Sequence, residues 1–306
     1  MPDGSNLGWT AAPERGSTFW LRVMLGITRA LGWRAGHLLL YPIAGYFLVF
    51  SPRQRRAVRR YLDRALGRPA TLRDVFRLYF AFASCLLDRV WLVTGRTRDY
   101  RIELHGLEAL RAHIEAGRGV LLFGAHLGSF EAMRAVADAG CPVHLSVLMH
   151  EANAARVKSF FDALGGERHA AAIIPLGTPH AMLRVREGLE AGELVGLLAD
   201  RAPRGERMTC VRFLGAEAWL PTGPHLLAAL LGAPVMTAFG IWRGPRHYEV
   251  RFEALDDAPG AAGRAGREAA VAASVARYAA RLEAVCREHP YNWFNFFDIW
   301  REGERR

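Results

Sequence analysis

His126 and Glu131 are the two residues whose types and spacing best suit proton-transfer chemistry. They lie in the segment GVLLFGAHLGSFEAMRAV, residues 119–136. An imidazole titrates near neutrality, and a carboxylate beside it fixes the tautomer and stabilises the imidazolium, which makes a general base. The spacing constrains where the pair can sit. Five positions along a regular α-helix turn through about 500°, leaving the side chains roughly 140° apart, so they cannot meet if both are helical. With His126 in a turn entering a helix and Glu131 in its first turn, the carboxylate can reach back to the ring. Gly124 and Gly128 flank the histidine and allow close backbone approach. Free amides at a helix start, near Gly128 and Ser129, would also suit a developing oxyanion. The alternative is an incidental histidine near an acidic residue.

A second candidate pair is Asp200-Arg201, which ends an apolar strand and would face the same sheet edge as His126. Arg201 suits a phosphate. The alternative is a surface ion pair in a loop that also holds Arg204, Glu206 and Arg207. Cys85, Cys141, Cys210 and Cys286 form no CxxC pair, so neither a zinc site nor a disulfide framework is indicated, and each is expected to be buried. No GxSxG elbow occurs and no cysteine lies near His126, so the local sequence offers neither a serine on a nucleophile elbow nor a cysteine nucleophile. No metal or other cofactor is expected.

The elements that must position these residues read as alternating strands and helices. Strand candidates are Gly119–Phe123, Pro142–Met149, Ala172–Leu176, Glu193–Leu198, Cys210–Leu214, Pro234–Ile241 and His247–Leu255. Helices are expected over Thr71–Arg96, Leu127–Ala139, Ala152–Leu164, Pro179–Gly192 and Pro224–Leu231, and from Arg267 onward after a flexible loop ending at Gly266. This alternation predicts an α/β fold, a mixed central sheet covered by helices. Reactive groups of such sheets collect at the carboxyl ends of strands, where His126 falls.

Residues 1–17 are expected to be a flexible N-terminus, without the pattern of a cleaved signal. From 18 to 60 the chain reads as membrane-associating helices. Arg22 and Arg29 share a stripe on the first, and AGHLLLYPIAGYFLVF (35–50) is the most apolar run, kinked at Pro42. That run covers roughly 24 Å as a helix, short of the approximately 30 Å hydrocarbon core. Arg53, Arg55, Arg56, Arg59 and Arg60 follow it, a basic flank that places the remaining chain on the cytoplasmic side. A buried core helix followed by a solvated helix face is the alternative. The net charge of +10 asks for an acidic partner, although Lys158 is the sole lysine and the arginine excess itself is discounted. No recognition helix, RNP sequence or zinc finger supports nucleic-acid binding.

HLGSFE (126–131) matches the His-x4-Asp/Glu motif of the glycerolipid acyltransferase superfamily. With GELVGLLADRAP (192–203), PTGPHLLAALLGAPV (221–235) and the N-terminal apolar run with its basic flank, the chain resembles the bacterial lipid A late acyltransferase family. The resemblance makes 61–306 an acyltransferase domain of glycerolipid acyltransferase-like fold behind an N-terminal hydrophobic membrane anchor. It implies transfer of a fatty acyl group from an acyl-carrier-protein or CoA thioester to a hydroxyl of a lipid A-type or other glycolipid, at the inner membrane. It makes His126 and Glu131 catalytic and places Asp200 in the substrate site; Arg201, Gly128 and Ser129 are read with it as substrate-binding. The ending PYNWFNFFDIW (290–300) departs from the family's usual tail and looks like relatives acting on polyene-type lipids. Its aromatics suit either a membrane interface or a core cap. Hydrolysis, with water replacing the alcohol, and a non-catalytic basic membrane-binding module are the competing readings.

Overall fold

The computed structural model describes residues 18–93, 96–134, 144–150, 172–176, 180–202, 205–256 and 263–300. Its centre is a seven-stranded sheet of order β1-β9-β8-β2-β5-β3-β4. These strands are β1 (Arg101–His105), β2 (Val120–Gly124), β3 (Leu145–His150), β4 (Ala172–Leu176), β5 (Leu194–Leu198), β8 (Val235–Gly244) and β9 (His247–Asp256). All neighbouring pairs are parallel except the β8–β9 hairpin, so β9 and β1 run against the rest and the sheet is mixed. A separate antiparallel ribbon joins β6 (Met208–Phe213) to β7 (Ala216–Pro221).

β2 is VLLFG, apolar throughout, because a central parallel strand is covered on both faces and needs no polar side. Every one of its residues is buried. Around the sheet lie α1 (Thr18–Phe50), α2 (Pro52–Leu66), α3 (Leu72–Val93), α4 (Leu107–Glu115), α5 (Ala181–Glu190), α6 (Gly223–Leu231) and α7 (Gly263–Glu288). On α7 an apolar stripe of Val271, Val275, Tyr278, Leu282 and Val285 is buried against the core.

Several expectations are corrected. The break in α1 falls at Gly32, whose φ of 82° and ψ of 172° leave the helical region; Pro42 lies inside the helical run. Glycine enters positive φ without a Cβ clash, so the chain turns there more cheaply. The basic flank is itself α2, opened by Pro52 and closed by Gly67 in the left-handed region. After His126 the expected helix Leu127–Ala139 does not start at Leu127: Phe130–Arg134 form a 3₁₀ turn, and residues 135–139 lie outside the described residues. Cys210 is exposed, whereas Cys85 and Cys286 are buried. β1, α4 and β7 are additional elements that the sequence reading did not anticipate. The expected helix Ala152–Leu164, Cys141 and the N-terminal 1–17 lie outside the described residues, as do the side chains of Arg22 and Arg29.

No single helix among the described residues is long and apolar enough to cross a membrane. Gly32–Phe50 and α2 pass that test only together, bent by 98° at their junction.

Candidate active site

Parallel register creates the site. Gly124 at the end of β2 pairs with Leu198 at the end of β5. His126 and Asp200 each stand two residues beyond those partners, so equal overhangs bring the two side chains together. His126 Nδ1 lies 2.9 Å from Asp200 Oδ1, and the His126 backbone N–H donates to Asp200 Oδ2 at 3.1 Å. The turn is closed by the Ala199 N–H donating to the Gly124 carbonyl at 3.0 Å, and the same carbonyl accepts from the Tyr278 hydroxyl at 2.8 Å.

The histidine loop is clamped on two sides. Gly128 has a φ of 57°, and a Cβ there would meet the Gly240 carbonyl oxygen of β8 at 1.8 Å. Gly240 has the reciprocal constraint, its hypothetical Cβ lying 2.0 Å from the Ser129 oxygen. On the other side the C-terminal segment donates Phe294 N–H to the His126 carbonyl at 2.8 Å, while Gly128 N–H donates to the Asn292 carbonyl at 2.9 Å. Phe130 anchors the following turn over Gly196 of β5, where any Cβ would come within 2.8 Å of the ring.

Glu131 does not reach the imidazole. Its Oε1 pairs with Arg89 Nε of α3 at 2.6 Å, and its Oε2 accepts from Ser129 Oγ at 3.1 Å. The carboxylate on His126 is that of Asp200. The 3₁₀ turn explains the change, because it directs Glu131 toward α3 instead of wrapping it back over the loop. The expectation of free amides for an oxyanion at Gly128 and Ser129 is also corrected: Gly128 N–H is held by Asn292, and Ser129 N–H donates to Gly240 O at 2.7 Å. Ser129 is itself buried.

Asp200 is 1% exposed at its side chain, and Arg201 is 13% exposed with Nε 3.8 Å from Asp200 Oδ2. A buried carboxylate is costly unless surrounded by donors. Here Trp293 Nε1–H adds a bond to Oδ2 at 3.0 Å, beside the two from His126. Burial pushes the Asp200 carboxyl up, but the opposing pull of His126, Arg201 and Trp293 holds it well below the usual carboxylate range. An ionised Asp200 only accepts, so His126 Nδ1 carries the proton and Nε2 keeps the lone pair. Loss of solvent, together with the Arg201 charge, lowers the His126 pKa against the opposing pull of Asp200. The ring is therefore neutral at physiological pH and still keeps 33% of its side-chain surface open. A neutral, oriented and accessible imidazole is competent to take a proton.

Arg201 is held by its NH2 on the Phe294 carbonyl at 3.0 Å and by its guanidinium over the Phe297 ring, 5.3 Å from the centroid. Its charge is thus fixed near the ring. The expected residues His126, Asp200, Arg201, Gly128 and Ser129 converge on one sheet edge, with Glu131 one contact removed through Ser129. Arg89, Trp293 and Asn292 were not foreseen. Each meets its partner across dozens of positions, and no local pattern announces such a contact. The aromatic tail is a core cap in this structure, with Trp293 fully buried and Phe294 5% exposed. Among the described residues no cluster of His, Cys, Asp and Glu is arranged to hold a metal ion.

A family model described as "Bacterial lipid A biosynthesis acyltransferase" matches residues 10–302. No curated protein matches the chain.

Proposed function

The chain belongs to the bacterial lipid A biosynthesis acyltransferase family and is an acyltransferase, and from that premise we propose that His126 is its general base. An acyltransferase of this kind takes an acyl donor and a lipid acceptor. In our reading the donor is an acyl-carrier-protein or CoA thioester, and the acceptor is a hydroxyl of a lipid A-type or other glycolipid. The acceptor oxygen attacks the thioester carbonyl while His126 Nε2 removes its proton. Collapse of the tetrahedral intermediate breaks the C–S bond, and the imidazolium returns its proton to the departing thiolate. Asp200 keeps the ring in the Nδ1–H tautomer and stabilises its charged form. Arg201 supplies a fixed positive charge beside the ring, suited to the developing oxyanion or to a phosphate of the donor. Glu131, tied to Arg89 and Ser129, braces the turn that carries the loop.

The observation that carries this reading is the 2.9 Å contact between His126 Nδ1 and the buried Asp200. The reading also puts the enzyme at the inner membrane with its catalytic body on the cytoplasmic side. Exposed Leu38, Tyr41, Tyr46, Val49 and Phe50 on α1 and the arginines of α2 support that placement.

The test compares cells expressing wild type and His126→Ala by mass spectrometry of extracted lipids. Wild type should yield an acylated lipid that falls by roughly 10²- to 10⁴-fold in the variant, the usual range for losing a general base. Release of free fatty acid with no acylated lipid would instead identify a hydrolase.

A further inference from the structure

The two oxygens of Asp200 have different work. Oδ1 faces the His126 ring, whereas Oδ2 accepts from the His126 backbone and from Trp293 Nε1, 3.0 Å away. An indole N–H is a donor only, so it favours an oxygen that carries no proton and turns the carboxylate so that Oδ1 meets the imidazole. Trp293 is itself locked: it is fully buried, packed edge-on against Tyr61 of α2 at 4.9 Å and against Phe213 of β6 at 5.3 Å, and bridged through its backbone to Leu127. The segment around it is tied down by Tyr61 Oη on the Pro290 carbonyl at 2.9 Å, Tyr291 Oη on Asp74 at 2.8 Å, and the Asn292 amide on both backbone groups of Trp242.

We propose that Trp293 is a positioning residue for acyl transfer, and that the C-terminal strap 290–300 completes the active site by fixing Asp200 through the indole N–H. This inference rests on the reading of His126 and Asp200 as the working pair. The strap reaches the pair from two directions, through the indole on Asp200 and through Phe294 N–H on the His126 carbonyl. The first contact orients the Asp200 carboxylate and the second fixes the backbone that carries the His126 ring. Other charged or titratable groups facing Asp200 are Arg201, from its own loop, and Tyr278 and Cys286 from α7. Burial pushes both of the α7 groups up, so they are uncharged near neutral pH.

The experiment uses the full-length enzyme and follows thiol release from palmitoyl-CoA with extracted bacterial membrane lipid as acceptor. Two replacements at position 293 are compared. Trp293→Phe removes the N–H and part of the ring. Benzothienylalanine, introduced by amber suppression, keeps the bicyclic shape and removes only the donor, so it remains informative if the phenylalanine variant does not fold. Losing one hydrogen bond to a charged group should lower kcat by roughly 10- to 100-fold, with KM for the thioester within about twofold. The acid limb of kcat/KM should also move to higher pH. Without the indole donor, the Asp200 charge is less offset and draws a proton onto His126 more strongly.

Wild-type kcat and an unmoved acid limb in the benzothienylalanine enzyme would overturn the inference. So would a loss confined to KM, or a kcat loss with no change in the pH profile, since either indicates packing alone. His126→Ala and Asp200→Asn run alongside. If those two retain turnover, the paired-residue reading itself has failed; if they lose it while the position-293 variants do not, only the role of Trp293 has.

Discussion

At the residue scale the site depends on how one carboxylate is shared. Asp200 gives one oxygen to an imidazole and the other to two N–H groups. This arrangement explains how a carboxylate that is 1% exposed stays ionised. It also has a consequence for pH. Burial and the neighbouring Arg201 charge outweigh the pull of Asp200, so His126 titrates below its ordinary value of about 6.5. The base form is the neutral ring, which is lost only as the pH falls through that lowered value. kcat/KM should therefore hold steady from about pH 8 down to about 6.5 and decline only below it. An acid limb centred above pH 7 would contradict the assignment of His126 as a desolvated base.

At the element scale, α1 and α2 stand apart from the rest of the fold in the surface they present. Leu38 is 70% exposed, Val49 60% and Phe50 57%, and Tyr41 and Tyr46 lie on the same helix more than half exposed. Large side chains of this kind clustered on one helix mark an interaction surface. Arg53, Arg56, Arg59 and Arg60 on α2 are exposed next to it. We propose that this helix pair seats in a membrane interface, its apolar side chains entering the acyl boundary beside arginines at anionic headgroups. The purified protein should co-float with vesicles containing phosphatidylglycerol, and substituting Leu38→Glu with Phe50→Glu should reduce the bound fraction about tenfold or more. Recovery of wild type in the unbound fraction, equal to that of the double variant and without detergent, would refute the placement.

Across the whole molecule, the parts legible in the sequence are those governed by short-range rules. β2, β3, β4, β5, β6, β8 and β9 are legible as the apolar strand runs of the sequence. Asp200 could be placed on the same edge as His126 because each follows the end of such a run. Their direct contact required the register, Gly124 opposite Leu198, which no single segment encodes. Glu131 meets Arg89 on α3 and not the imidazole, because the turn that carries it is 3₁₀ and its partner lies far back along the chain. β1, RIELH, is an edge strand with polar residues at alternate positions, and it becomes a strand by pairing with β9 far along the chain. The tail was readable as aromatic but not as a strap, since its partners lie on α2, α3, β6, β8 and the loops after β2 and β5.

Those long-range contacts make the site a property of the assembled fold, and the most direct test asks whether His126 and Asp200 act as one unit. kcat/KM is measured for wild type, His126→Ala, Asp200→Asn and the double variant with a fixed thioester and lipid acceptor. The account predicts a loss of roughly 10²- to 10⁴-fold for His126→Ala, a substantial loss for Asp200→Asn, and a double variant no worse than His126→Ala within about threefold. Multiplying losses, or an Asp200→Asn enzyme with undiminished kcat/KM, would contradict it.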